Sequence, residues 1–428
     1  LKVLVLSNFY PPDVKGGYEL GCKQAVDALR GRGHDVHVLT TAPRVPVPRI
    51  PSVLRRFQAP DVLDHYLFHH SRPVTAHLAQ ADSLLVSSYN VHVLLETIAE
   101  LEPDVVYVWM ITGIGGLGLM AALRHVGMPW VWHLMDDVPL MLGRLSGNLV
   151  APLIRELDRQ LDGDFLACSQ ILIDEIEAGG INISSQVEAV PNWVAGPRPP
   201  AREACYAPAE GRPLKVMAAS QIAPHKGIEI LIDAAKVLVD QGQTRFQVDI
   251  FGQDDGPHFS AYAMKIRQLG LEQHVCLAGA RSQSQLARLY PRYDLFAFPT
   301  WAREPFGFAP LEAAWTGCVP LISQACGIAE WLVHGIHCLK AERSPQAFAE
   351  VMGSVIEGST DLSTIAKQAA AVVDRDFHIN TIISRIEAAL TRALSRPRRP
   401  AGSPADAYRM ALLAEKLTRV MVQEAIPA

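Results

Sequence analysis

Apolar runs of strand length recur along the chain and alternate with stretches of helical period. "KVLVLS" leads into a helical pattern from about Tyr18 to Arg30, then "VHVLT" follows, and later "DVVYVW", "WVWHLM" and "DFLACS". Runs this continuous suit strands buried on both faces, and the alternation with helices predicts βαβ units and a parallel sheet. From Ala195 to Pro213 five prolines break the rhythm, so this stretch reads as an interdomain linker. A second series then starts with "KVMAAS", "FQVDIFG", "VCLAG", "DLFAFP" and "VPLISQ", each leading into a helical pattern. The predicted fold class is α/β: two Rossmann-like, doubly wound parallel-sheet domains at 1–195 and 214–375, a linker at 196–213, and C-terminal helices over 376–428 returning to the first domain.

Two regions depart from the pattern. Residues 41–100 carry Pro43, Pro46, Pro48, Pro51 and Pro60 before "DHYLFHH", and read as an irregular insert in the first domain. Past Ser395, "SRPRRPAGSP" reads as a basic hinge. Met410, Leu413, Leu417 and Val420 then recur at helical spacing, which predicts a docked amphipathic helix. The stretch Val105–Leu123 carries no charge over 19 residues, near the length of a membrane span, but Gly113, Gly115, Gly116 and Gly118 would interrupt a helix. A strand, a glycine turn and a buried helix account for the same letters.

Composition sharpens this picture. With 428 residues, 49% of them hydrophobic, the chain has apolar surface for more than one core, and a net charge of -5 disfavours non-specific nucleic-acid binding. The seven cysteines are odd in number and contain no C-x-x-C pair, so neither a disulfide framework nor a zinc ribbon is indicated and a reducing cytoplasm fits. A chain that opens on Leu1 reads as a processed or excised piece of a longer product.

Two sets of residues carry candidate chemistry. Gly113-Ile-Gly115-Gly-Leu-Gly118 matches G-x-G-x-x-G after a predicted strand, and Asp136 follows at the end of the next strand, as a dinucleotide fingerprint requires. An NAD-dependent oxidoreductase or epimerase is the function this motif suggests; close packing of a mid-domain βα turn is the plainer reading. The second set lies in "PTWAREPFGFAPLEAAWTG", where Glu304 sits on a loop after a strand and Glu312 just inside the next helix. Free N–H groups near Gly307 would face an anion, while the carboxylates can accept hydrogen bonds from sugar or ribose hydroxyls. Lys226-Gly227 supplies a cation before another helix, and Gly327-Ile-Ala-Glu330 a turn with a further carboxylate.

These residues resemble the glycosyltransferases of family four, the retaining GT-B enzymes that use nucleotide-activated sugars. The resemblance runs nearly the length of the chain, from "FYPPDVKGGYEL" through "PDVVYVW", "VPNW", "HKGIEILIDAAKVL" and "EPFGFAPLEAAWTG" to "GIAEWLVHG", and the E-x7-E pair Glu304/Glu312 is its most specific element. It implies a GT-B fold, with two domains facing across a cleft and the donor mainly on the second. It implies that Gly16 and Gly17 bring backbone N–H groups to the donor, that Lys226 neutralises the diphosphate, that Glu304 with Phe306 and Gly307 holds the transferred sugar, and that Glu312 takes the ribose. Gln221, Phe308 and Glu330 fall at the donor by the same likeness, and His133 matches a histidine near the sugar, with a core histidine as the alternative. It further implies metal-independent, retaining transfer from a UDP- or GDP-sugar to a glycan, lipid-linked or small-molecule hydroxyl, as in polysaccharide biosynthesis, with no cofactor beyond the donor. A GT-B module that binds its ligand without turnover is the non-catalytic rival, motivated by Gln221, which stands where relatives carry Arg. Cys326, Trp193 and Trp315 are further departures.

Other clusters read more plainly. His65, His69, His70 and His77 fit an exposed or acceptor-lining group better than a metal site, and Asp162-Gly-Asp164 and Asp374-Arg-Asp376 fit turns better than metal-binding D-x-D motifs. For Arg49, Arg55, Arg56, Arg396, Arg398 and Arg399 a solvated basic face is the plainer account, and peripheral contact with anionic lipid the alternative.

Overall fold

The computed structural model describes residues 1–14, 16–43, 46–58, 86–140, 161–183, 186–198, 200, 211–252 and 257–396, and, past 402, residues 403–405, 407, 408, 411, 412 and 415. His65, His69, His70 and His77, Arg398 and Arg399, and Met410, Leu413, Leu417 and Val420 lie outside the described residues.

The chain forms two compact units. The first comprises Leu1–Cys168, Leu172–Val190 and Ile383–Ala428, and the second Ser169–Ile171 and Pro191–Ile382. The first is built on a sheet of β1 (Lys2–Ser7), β2 (Asp35–Thr41), β3 (Val53–Phe57), β4 (Val105–Met110), β5 (Trp130–Leu134), β6 (Asp164–Ala167) and β7 (Val187–Ala189). Its order is β3-β2-β1-β4-β5-β6-β7, and every pairing is parallel. The second holds β8 (Leu214–Ala219), β9 (Phe246–Phe251), β10 (Val275–Gly279), β11 (Leu295–Phe298), β12 (Val319–Ser323) and β13 (Leu339–Ala341). These are ordered β10-β9-β8-β11-β12-β13, again parallel throughout. The apolar runs are buried as continuous runs should be: Val3, Leu4, Val5 and Leu6 of β1, like Leu295 and Phe296 of β11, expose nothing. In each sheet the order reverses beside the first strand, between β1 and β4 and between β8 and β11. An open α/β sheet leaves a crevice at such a point, beyond the carboxyl ends of the strands.

The uncharged stretch Val105–Leu123 is β4 followed by a glycine turn and helix α3 (Gly116–His125), after α1 (Gly17–Gly31) and α2 (Ser88–Leu101). Among the described residues no helix is long and apolar enough to cross a membrane. The last long helix, Ile379–Ser395, passes into the first unit at Ile383. There Arg385 donates to Glu188 at 2.9 Å, Arg392 to the same carboxylate at 2.6 Å, and Arg396 to Asp164 at 2.6 Å. Arg56 pairs with Glu100 at 2.7 Å, and Arg55 donates to the carbonyl of Pro11 at 2.6 Å. Arg55, Arg56 and Arg396 thus have partners within the chain, while Arg49 is exposed.

Candidate functional site

In the second unit the residues singled out by sequence gather on the loops that leave the carboxyl ends of β8, β11 and β12. After β8, Pro224–Lys226 form a single 3-10 turn, and Gly227 links it to the helix Ile228–Asp240. Gly227 has a φ of 74°, and a Cβ there would lie 2.0 Å from the carbonyl oxygen of Pro299, so only glycine lets the two loops touch. After β11 the chain runs through Thr300 and Glu304 to the helix Ala309–Trp315, with Pro310 in its first turn. Backbone hydrogen bonds knit the loops together: the N–H of Trp301 donates to the carbonyl of His225 at 3.0 Å, and that of Gly327 to the carbonyl of Glu304 at 2.9 Å.

Lys226 and Glu304 form an ion pair with each other, their side chains 19% and 13% exposed, and the hydroxyl of Thr300 donates to the same carboxylate at 3.0 Å. The cation and the carboxylate that the resemblance assigns to different parts of a donor thus neutralise one another. Beside them His225 has its pKa lowered by burial first and then by the Lys226 charge, so its ring is kept neutral at neutral pH. The carboxylate of Glu312 accepts from Gln283 and from the phenol of Tyr290, each at 2.9 Å. Burial and that carboxylate hold the phenol well above its ordinary pKa, so it remains a donor.

Phe306 is buried, Gly307 has a φ of 102°, and Phe308 meets the edge of Trp193 at 6.3 Å between ring centroids. Trp315, on the same helix as Glu312, donates its indole N–H to Asp374 at 2.8 Å. Two of the unusual residues, Trp193 and Trp315, therefore brace the element that carries Glu312. Gln221 is exposed on the loop after β8. Glu330 lies on the turn after β12, where its two oxygens accept the backbone N–H groups of Gln170 and Ile171 at 2.7 Å, one bond to each, which leaves the carboxylate further acceptor sites.

The first unit places its candidates otherwise. Gly16 precedes α1, its N–H bonded to Glu19 at 3.0 Å; its backbone is extended and a Cβ would meet nothing within 4 Å, so packing inside the chain gives no reason for a glycine there. Gly17 begins the helix. His133 lies inside β5, 1% exposed, bonded through Nδ1 to the phenol of Tyr107 at 2.6 Å and set against the ring of Trp109 at 4.8 Å. Burial pushes its pKa down to about 3. His133 is thus packed in the core of the sheet, the environment of the alternative reading.

The dinucleotide reading also meets the packing. A Cβ on Gly115 would lie 2.3 Å from the Ser87 nitrogen, one on Gly116 2.9 Å from Ile111, and one on Gly118 3.0 Å from Val86. These close approaches give the glycines a packing role at the start of α3. Among the described residues no group of three or more His, Cys, Asp or Glu side chains is placed to hold a metal ion. Asp164 pairs with Arg396, and Asp376 with Arg375 at 2.6 Å.

Set beside known proteins, residues 16–193 match the family described as "Glycosyl transferase 4-like domain", and residues 207–372 match "Glycosyl transferases group 1". The chain belongs to the family-four glycosyltransferases. Among this family's curated members it is 26% identical over 215 residues to D-inositol 3-phosphate glycosyltransferase of Corynebacterium glutamicum, covering 44% of this chain and 51% of that one. It is also 26% identical over 173 residues to the amylovoran biosynthesis glycosyltransferase AmsK of Erwinia amylovora, covering 39% and 42%. The chain thus spans about half the length, or less, of the curated relatives it matches. Solved family-type structures show the GT-B fold across it. Anabaena HepE, in complex with UDP and glucose, superposes with a TM-score of 0.64 at 21% identity, over 91% of this chain and 99% of that one. Sucrose-phosphate synthase of Thermosynechococcus elongatus gives 0.70 at 16% identity, over 92% and 99%.

Sequence reasoning missed the immediate partners. Thr300 and Trp301 stand within four residues of Glu304 and could have been found by proximity. Tyr290, Gln283 and Arg343 approach from distant segments that no spacing connects to the site.

Proposed function

We propose that this glycosyltransferase-family chain moves a sugar from a nucleoside diphosphate donor, a UDP- or GDP-sugar, to a hydroxyl of a glycan, lipid-linked or small-molecule acceptor, with retention and without a metal ion or other cofactor. The observation that carries the reading is the Lys226–Glu304 pair at the β8/β11 crevice. A diphosphate offers Lys226 stronger acceptors than one carboxylate, and sugar hydroxyls give the released Glu304 new donors. In this reading the bond from the sugar carbon to the phosphate oxygen breaks, the acceptor oxygen bonds to the same face of that carbon, and the acceptor proton passes to a donor phosphate oxygen. The protein supplies position and charge, Lys226 against the leaving diphosphate and Glu304 with the Phe306–Gly307 backbone on the sugar. Glu312 and Gln221 belong to the nucleotide side. The UDP and the UDP-glucose in the HepE structures support the donor class.

A thermal-shift panel of UDP, GDP, ADP and their sugars tests this, with and without EDTA. A ligand at 100 times its dissociation constant stabilises the fold by about 2.7 kcal/mol. A panel in which no nucleoside diphosphate raises the melting temperature overturns the reading. Transfer abolished by EDTA and restored by Mg²⁺ or Mn²⁺ overturns its metal-independent part.

A further inference from the structure

Arg343 lies outside every motif of the sequence reading, between β13 and the helix Pro345–Ile356, where the neighbouring Ser344 is the N-cap. Its guanidinium reaches back over both loops of the candidate site. Nε donates to the carbonyl of Pro299 at 3.1 Å, and one terminal nitrogen approaches the carbonyls of Pro224 at 3.3 Å and His225 at 3.5 Å. Pro299 opens the loop that carries Thr300 and Glu304, whereas Pro224 and His225 belong to the turn that ends in Lys226. Two of these carbonyls already accept a backbone bond, Pro224 from Gly227 at 3.1 Å and His225 from Trp301 at 3.0 Å, so Arg343 uses their second lone pairs. Among the described residues no carboxylate pairs with Arg343, which is exposed, and its bonds within the chain go to carbonyl oxygens. Its charge is felt in the turn, where it helps keep His225 neutral.

We propose that Arg343 is a positioning residue of the donor site: its planar fork locks the turn carrying Lys226 to the loop carrying Glu304, so that when a donor separates the pair each group stays in register. The proposal rests on the donor-site reading above. A flexible tether would let both charged groups follow one another, and small misplacements of such groups cost turnover heavily. A lysine keeps the charge at 343 but cannot span three carbonyls of two loops at once, so charge and clamp can be tested apart.

The experiment compares wild type, Arg343→Lys and Arg343→Ala by amide hydrogen exchange, by calorimetry with UDP and GDP, and by the slow hydrolysis of UDP-glucose and of a GDP-sugar without acceptor. In both variants the amides of Trp301 and Glu304 exchange about tenfold faster while those of β8 and β11 are unchanged, as expected of a local opening. Donor hydrolysis falls about tenfold, with diphosphate affinity moved less than about threefold, because position rather than binding is lost. Millimolar guanidinium ion restores part of the rate to Arg343→Ala and none to Arg343→Lys, a recovery that a role in bulk stability would not produce. Should Arg343→Ala unfold, Arg343→Lys carries the same comparison. Exchange at Trp301 and Glu304 that stays at the wild-type rate, or hydrolysis by Arg343→Lys equal to wild type, overturns the positioning role while diphosphate binding still stands. Wild type that binds neither UDP nor GDP overturns the donor-site reading itself, and with it this role.

Discussion

The two units are built by one rule and spend their polar residues in opposite ways. In the second, Lys226, Glu304 and Glu312 stand on loops or a helix start past the strand ends, partly exposed, and bond to one another or to side chains that a ligand can replace. In the first, His133 stands inside β5 with 1% of its surface exposed, among Tyr107 and Trp109. The difference teaches where in a parallel αβ sheet a motif residue is to be trusted. Loop residues beyond a carboxyl end meet the crevice, whereas a polar residue within a central strand is claimed by the core and must be satisfied there.

The largest expected effect sets the two regions directly against each other. Glu304→Gln keeps the shape of the loop but removes the charge facing Lys226, and turnover falls about a hundredfold, about 2.7 kcal/mol in the barrier. His133→Gln leaves turnover within about threefold of wild type, the size of an indirect effect. Steady-state rates with a common donor decide it, and a loss at His133 equal to that at Glu304 breaks the comparison.

A second effect belongs to the first unit alone. In the unfolded chain the imidazole of His133 titrates near 6.5, whereas burial pushes it down to about 3 in the fold. Between those values the unfolded state binds more protons, so the stability is whole above pH 6.5 and declines as the pH falls toward 3. From pH 8 to pH 5 this costs about 2 kcal/mol. Urea denaturation at the two pH values shows that loss in wild type, and a loss smaller by this amount in His133→Gln. An identical pH dependence in both proteins means that the histidine is not buried neutral.

Within the second unit, Glu312→Ala weakens binding of the free nucleoside diphosphate about tenfold, about 1.4 kcal/mol, while Glu304→Gln leaves that binding nearly unchanged. Calorimetry that finds both variants binding like wild type removes Glu312 from the ribose. The smallest effect is at position 221. Gln221 is exposed, so a guanidinium introduced there is screened, and Gln221→Arg tightens diphosphate binding only about threefold, with a steeper salt dependence. Affinity and salt slope both equal to wild type would place residue 221 away from the phosphates.

Much of the fold was legible because its signal is local. A run such as "KVLVLS" satisfies its backbone and buries both faces most readily inside a parallel sheet, and the glycines of 113–118 favour a turn over a continuous helix. The loops of the candidate site were legible for a related reason: Lys226-Gly227 and Glu304…Glu312 sit directly after strands and before helices, where the geometry is set by neighbours in sequence. Glu330 shows the limit. Its place after β12 was read correctly, but the amides of Gln170 and Ile171 that occupy it come from a distant segment, and no pattern around Glu330 announces them.

The sequence by itself thus determined the elements, their parallel arrangement and the loops on which charged groups stand, because hydrophobic period, turn residues and strand ends act over a few residues. Tertiary structure alone decided which groups meet: that Lys226 is paired with Glu304, that Glu312 is shared by Gln283 and Tyr290, that Arg343 grips both site loops, and that His133 is sealed against Tyr107. The reason is physical. Hydrogen bonds and ion pairs form between groups a few ångströms apart, and the packing of whole elements, rather than the spacing of letters, sets those distances.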